Sequence, residues 1–428
     1  MIKKQPITYK VFPNVSFGSL ILFFVWPFAF LVSQIRKIRN PDWIGYIMLF
    51  GVFFGFTFVY EDPLSGCLSS DSASYALQLM EMHENPFRLV DLVNSFYNPG
   101  SGLLDIYQPL VTWLFAIFTD NPKFLFAFFG GFFALFYGHN LWIVFTRISK
   151  RISYLIIILM VFYAIINPIW NINGVRMWTA AQVFVFGILN LFVLSNRKYW
   201  IWLILSVLIH FSFFIPAVVF FAFKYLPKKE SFFVAFYLIT LTINEIDLFQ
   251  FRTSLSFLPE ILQPKVQSYT NERYAEGLEL AMARVNWYVR LQSTLSVVMI
   301  NIWVVILYLK RNSWRHIFPN YYSLFLFLLL FGGIANILAN VPSGARFLVV
   351  SDMLFIALVL LIYGNANLKI KLSPLLASFI IAASFFVIIF KVRVGMDYIG
   401  PLLFFGNPFI VLFIEDQTPL IQFIKGLL

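Results

Sequence analysis

The chain has 428 residues, 60% of them apolar and only 12% charged, with a net charge of +11 and a mean hydropathy of +0.82. Apolar runs of 18 or more residues recur along it, which excludes a soluble domain and implies a polytopic integral membrane protein. The positive charge excludes a nucleic-acid patch, because it comes in small groups between apolar runs: Arg36-Lys37-Arg39, Arg147-Lys150-Arg151, Arg197-Lys198, Lys224-Lys228-Lys229, Lys310-Arg311-Arg315 and Lys369-Lys371.

Apolar windows predict spans near 17–35, 44–60, 123–145, 152–170, 174–195, 232–249, 287–309, 321–339, 345–363 and 373–391. The first run, Phe17 to Ser33, has no small-residue cleavage site and is expected to remain as a span. Residues 106–119 and 401–414 are too short to cross comfortably, and 199–223 is broken by His210, Ser212 and Pro216. Parity decides how the broken segment runs. A single crossing would put Lys228-Lys229 and Lys310-Arg311 opposite Arg197-Lys198, whereas two half-helices returning to one face keep all six basic clusters cytoplasmic. By the same argument 106–119 is an in-plane or re-entrant helix, and Lys3, Lys4 and Lys10 fall outside, against the rule. The expected fold is all-α: one membrane domain over 1–428 with about 11–13 transmembrane or re-entrant helices.

The outer face then carries four segments. One is 61–122, an acidic loop with in-plane helices: Glu61, Asp62, Asp71, Glu81, Glu84, Asp91 and Asp105 stand there against Arg88 alone. The others are the Asn171–Arg176 turn, the polar loop 250–286 of mixed charge, and the Val341–Arg346 turn. The 250–286 loop has helical spacing from Glu272 to Arg284 and reads as a lid or a solvated cap. Gly51/Gly55, Gly130-Gly131 and Gly332-Gly333 read as close helix packing.

Candidate chemistry gathers on that face. Ser69 to Glu81 opens with capping residues and places Asp71, Ser74, Gln78 and Glu81 on one side of an amphipathic helix, so Asp71 is either an N-cap or a catalytic carboxylate. Glu61-Asp62 are either further catalytic candidates or charges marking a span's exit. Arg176 and Arg346 each open a span, where unpaired amides and the helix dipole attract anions; the pair is a candidate pyrophosphate clamp, or each snorkels to headgroups. His210, at the break in 199–223, either helps build a site floor or satisfies carbonyls freed there. Arg290, just after the polar loop, is a further substrate-binding candidate. A lone Cys67 excludes an internal disulfide, and His83, His139, His210 and His316 show no ligand spacing, so no metal or cofactor is expected.

From about residue 45 to about 365 the chain resembles the EpsG family of bacterial polysaccharide polymerases, related in role to the Wzy-type O-antigen and capsule polymerases. The family's outer D-x-x-x-Y element corresponds to Asp71 and Tyr75, and a following short helix resembles Tyr107-Gln108-Pro109-Leu110. Its most specific stretch resembles Gly174-Val175-Arg176, the basic turn Asn196-Arg197-Lys198-Tyr199-Trp200 and His210-Phe211-Ser212, and its late Arg-containing span resembles Arg346. Met177 stands where the family has Gln, and the aromatic before His210 is missing.

The resemblance implies a fold similar to C-type membrane glycosyltransferases in the bacterial cytoplasmic membrane. It implies an enzyme that joins polyprenyl-diphosphate-linked oligosaccharide repeat units, donor and acceptor, on the external face. It further implies membrane lipid and a chain-length regulator protein as partners, and no nucleic acid. Asp71 is then the first choice for the group that activates the acceptor hydroxyl, with Glu61 and Asp62 behind it, while Arg176, Arg346, Tyr75, His210 and Arg290 bind substrate. The alternatives are a C-type glycosyltransferase using polyprenyl-monophosphate sugars and a transporter of lipid-linked oligosaccharides. A transporter predicts paired repeats and charges within several spans, neither of which is expected here.

Overall fold

The computed structural model describes residues 16–63, 70–86, 88–97, 104–243, 245–257, 259–368, 370–414 and 418–427. It is 76% helical, with no strand among the described residues. The first apolar run is not one span. Trp26, at φ −152° and ψ 86°, leaves the helical region, and Pro27, which cannot donate to a preceding turn, opens a new helix; the run becomes α1 (Phe17–Val25) and α2 (Pro27–Gln34). Next comes α3 (Trp43–Phe56), followed by the short helices α4 (Asp71–Glu84), α5 (Leu89–Tyr97) and α6 (Tyr107–Ala116).

The body of the bundle begins with α7 (Pro122–Phe145), α8 (Tyr154–Ile166) and α9 (Val175–Phe192). The hairpin α10 (Ile201–Ile209) and α11 (Phe214–Tyr225) follows, then α12 (Glu230–Thr240). The polar loop holds α13 (Leu248–Ser254), α14 (Gln263–Tyr269) and α15 (Glu272–Arg284). Four long helices complete the bundle: α16 (Trp287–Leu309), α17 (Pro319–Leu338), α18 (Arg346–Tyr363) and α19 (Pro374–Gly395). The C-terminal helices α20 (Leu402–Phe405), α21 (Pro408–Phe413) and α22 (Leu420–Leu427) are short.

Six apolar stretches among the described residues are long enough to cross a membrane: α7, Tyr154–Phe192, α16, α17, α18 and α19. The protein is a multi-pass membrane protein. Ten spans were expected; the shortfall lies in the broken first run, in α3 with 14 residues and in α12 with 11, and in the doubling of Tyr154–Phe192. That last stretch reverses on itself. Asn167 Nδ2 donates to the Trp178 carbonyl at 3.2 Å and Gln182 Nε2 donates to the Asn167 carbonyl at 3.0 Å, whereas residues fifteen apart in a straight helix lie roughly 22 Å apart.

Glycines let two of these contacts close. A methyl group at Gly51 or Gly55 would run into the backbone of α7 at Gly130 or Phe126, so α3 and α7 pack backbone to backbone, whereas Gly333 makes room for the Phe236 ring of α12. Charges do enter the spans, contrary to expectation: Asp352 of α18 and Lys391 of α19 lie within electrostatic reach of one another.

The basic turns gather at one end. Arg39 donates to the Ile148 carbonyl, the Ser149 and Lys150 amides donate to the Gly364 carbonyl, Asn320 donates to Ser195 Oγ, and Arg311 pairs with Glu230. Trp200, before α10, meets Phe221 of α11 with ring centroids 6.4 Å apart, so the chain turns back at His210 and returns to its starting face, as the broken run suggested.

Candidate functional site

The reversal at His210 places the candidate site at the opposite end from the basic turns. The last residues of α10 leave carbonyls without helical partners, and the Leu208 carbonyl accepts the Ile106 amide at 3.1 Å. This fixes the entry to α6 at the depth of the hairpin tip. Tyr107 stacks on Phe132 and lies 5.7 Å from Phe129, about two turns inside α7, so the start of α6 and Asp105 lie below the end of the bundle.

Asp105 is the centre of the arrangement. Its Oδ1 accepts the Phe211 amide at 2.7 Å, and its Oδ2 accepts both His210 Nδ1–H at 2.8 Å and Arg176 Nη1–H at 3.2 Å. The Asp105 side chain is 8% exposed. Burial pushes its pKa up, but the hydrogen bond from His210, the charge His210 carries when protonated, the Phe211 amide and the Arg176 guanidinium outweigh burial and hold it below the ordinary carboxylate range. An ionised Asp105 only accepts, so the shared hydrogen sits on His210 Nδ1. His210 Nε2 makes no hydrogen bond with a described residue, and the ring lines the cavity.

Arg176, on the first turn of α9, also donates Nε–H to the Tyr75 hydroxyl of α4 at 3.2 Å. Burial drives the Tyr75 phenol well above its ordinary pKa, and Arg176 offsets only part of that, so it remains a neutral hydroxyl. Arg176 thus ties the α9 helix start to the acidic segment, and Asp105 ties that segment to the hairpin tip.

These groups border a cavity of about 440 Å³. Asp71, Asp105, Arg176, His210 and Arg346 supply its charge, and Phe211, Phe214, Ile215 and Phe347 supply apolar wall. The Arg346 guanidinium is exposed and makes no ion pair with a described residue. It projects from a turn in which Ser343 adopts φ 64°, a conformation uncommon outside glycine. The polar loop is a cap: Phe251 of α13, Val266 and Tyr269 of α14, and Leu255 and Leu262 between the two helices face the cavity. Arg252 fastens the cap by donating to Thr270 Oγ1 at 3.1 Å, to the Thr270 carbonyl at 2.8 Å and to Glu272 Oε1 at 3.0 Å. Burial raises the pKa of the Tyr269 phenol, which feels Asp105, Arg346, Arg176 and Asp71 together.

The structure therefore unites Asp71, Tyr75, Arg176, His210 and Arg346. Asp71 is not the N-cap of α4; Ser70 is, its hydroxyl accepting the Ala73 amide, and Asp71 stands exposed one residue on, with Oδ2 near Gly174. Glu61, Asp62 and Arg290 do not border the cavity. Glu61 is exposed and close to Tyr398, and Arg290 donates to the Ala283 carbonyl outside the cavity. Asp105 is one of seven acidic residues in 61–105, and its only local signal is its place at the entry to α6. Among the described residues no three His, Cys, Asp or Glu side chains come together as a metal ion needs. No protein-family model, no curated protein and no solved structure matches the chain.

Proposed function

We propose that the protein is a membrane glycosyltransferase that polymerises polyprenyl-diphosphate-linked oligosaccharide repeat units at the cavity, on the external face of a bacterial cytoplasmic membrane. The observation that carries this reading is the Arg176–Asp105–His210 cluster in a capped cavity with a second, unpaired arginine. A diphosphate leaving group needs fixed positive charge where negative charge develops; the Arg346 guanidinium pairs with no described residue, while Arg176 is held in place by Asp105 and Tyr75. The acceptor hydroxyl oxygen attacks the anomeric carbon of the donor sugar. The bond from that carbon to the diphosphate oxygen breaks, and the diphosphate leaves with the electron pair.

The hydroxyl proton goes to His210 Nε2. A ring held through Nδ1–H by an ionised carboxylate presents its other nitrogen as a base, which is the logic of an oriented acid–base histidine. Asp71, at the rim, then takes the role of orienting the acceptor hydroxyl. The experiment is the length of lipid-linked glycan in cells with and without the chain. Single repeat units in its absence, and polymer restored by the wild type but not by His210→Gln, support the reading; unchanged chain length overturns it.

The second reading is a transporter of lipid-linked oligosaccharides, which the presence of Asp352 and Lys391 inside the spans α18 and α19 favours. Under it, loss of the chain leaves lipid-linked repeats on the cytoplasmic face.

A further inference from the structure

A second cavity, of about 590 Å³, opens at the basic end, at the base of the α10–α11 hairpin. Its charge comes from two separated turns, Arg197 and Lys198 before α10 and Lys224 and Lys228 at the end of α11. No carboxylate borders it, and none of the four cations pairs with a described one. The nearby Glu230 is engaged by Arg311, Arg315 and the Tyr322 hydroxyl. All four side chains are exposed, so solvent moderates their mutual repulsion, and an anion among them lowers it further.

The floor is apolar: Phe220 and Phe223 are buried beneath the lysines. Lys224 Nζ lies 5.1 Å from the Phe220 ring centroid, and Lys228 Nζ lies 3.1 Å from that of Phe223, whose carbonyl it also meets. Ring faces hold the ammonium groups at the cavity instead of letting them range through solvent. Trp200, which borders the cavity, is 43% exposed, and Tyr225, next to Lys224 in sequence, is 87% exposed, the pattern of aromatic side chains at a membrane–water boundary. Beyond them the hairpin shows exposed Ile201, Ile204 and Val218 along its length, an apolar track for an acyl chain.

We propose that this cavity binds the phosphate headgroup of an anionic membrane lipid, with Arg197 gripping two phosphate oxygens and the lysines supplying point charge. The headgroup anchors the base of the hairpin whose tip carries His210 and Phe211. This inference stands apart from the catalytic reading.

The test uses the full chain in nanodiscs or detergent. Native mass spectrometry counts retained phosphatidylglycerol, and thermal unfolding is followed on adding phosphatidylglycerol, phosphatidylcholine or inorganic phosphate. The wild type should retain phosphatidylglycerol and gain stability from it but not from phosphatidylcholine. Lys224→Gln/Lys228→Gln should weaken that affinity by about tenfold or more, while Lys150→Gln/Arg151→Gln, which removes equal charge from another basic turn, should not. If the double variant fails to insert, Lys224→Gln alone supplies the comparison, with a smaller loss expected. Equal retention by the cavity variant, or no preference for phosphatidylglycerol over phosphatidylcholine, overturns the site. Stabilisation by inorganic phosphate without phosphatidylglycerol overturns the lipid as its source.

Discussion

Asp105 and His210 are 105 residues apart in sequence and share a 2.8 Å hydrogen bond, which locks the acidic segment onto the tip of the α10–α11 hairpin. Asp105→Asn keeps the shape but removes the charge that orients the imidazole and balances Arg176. Polymer yield should fall by about 10²-fold or more at normal protein level. Undiminished yield would remove the dyad from the mechanism.

The same carboxylate sets a pH dependence. Its folded pKa lies below the unfolded value of about 3.9, so its contribution to stability is fully present above about pH 4 and is lost as pH falls through the lower folded value. Thermal unfolding of the wild type should therefore be insensitive to this group from pH 5 to 8. Below about pH 4 the gap between wild type and Asp105→Asn should narrow; a constant gap would contradict the depressed pKa.

Arg176 binds Tyr75 through Nε and Asp105 through Nη1 at once, which a single ammonium cannot reproduce. Arg176→Lys should abolish polymer nearly as fully as Arg176→Ala. Tyr75→Phe, which removes one hydrogen bond worth about 1 kcal/mol, should cost tenfold or less.

Because Ser70 caps α4, capping and chemistry separate cleanly at this helix. Ser70→Ala should lower stability by about 1 kcal/mol with activity intact. Asp71→Asn should leave stability unchanged and lower polymer yield by at least about tenfold. The reverse pattern in unfolding and glycan-length measurements would make Asp71 structural.

Arg252 carries three hydrogen bonds across the cap. In a Cys67→Ser background, a cysteine at Ser343 should react with an impermeant thiol reagent about tenfold faster once Arg252→Ala is added. An unchanged rate would mean that the cap closes without this tie.

Hydropathy made the long helices legible, since α7, α16, α17, α18 and α19 are long and uniformly apolar. It does not register a single residue leaving helical geometry, so the Trp26-Pro27 break was hidden inside an apolar run. Arg176, His210 and Arg346 were legible because a polar group at a helix end or break in an apolar chain needs a reason. Asp105 was not. Asp91 also lies between apolar neighbours, yet it pairs with Arg88 at the surface. What distinguishes Asp105 is the amide of Phe211, a partner that no local pattern announces.

The depth of the hairpin tip has an electrical consequence. α10 has nine residues, so about 14 Å of helix separates the basic end from His210, against roughly 30 Å of hydrocarbon in an ordinary bilayer. Water filling the cavity to His210 leaves an insulating layer about half the usual thickness, and a membrane voltage drops mainly across that thin layer. Asp105 and Arg176 then sit close to the potential of the solution on the cavity's side. On the proposed reading a diphosphate would reach them without moving its charge through the field, so the rate at this site should be nearly independent of whether the membrane is energised.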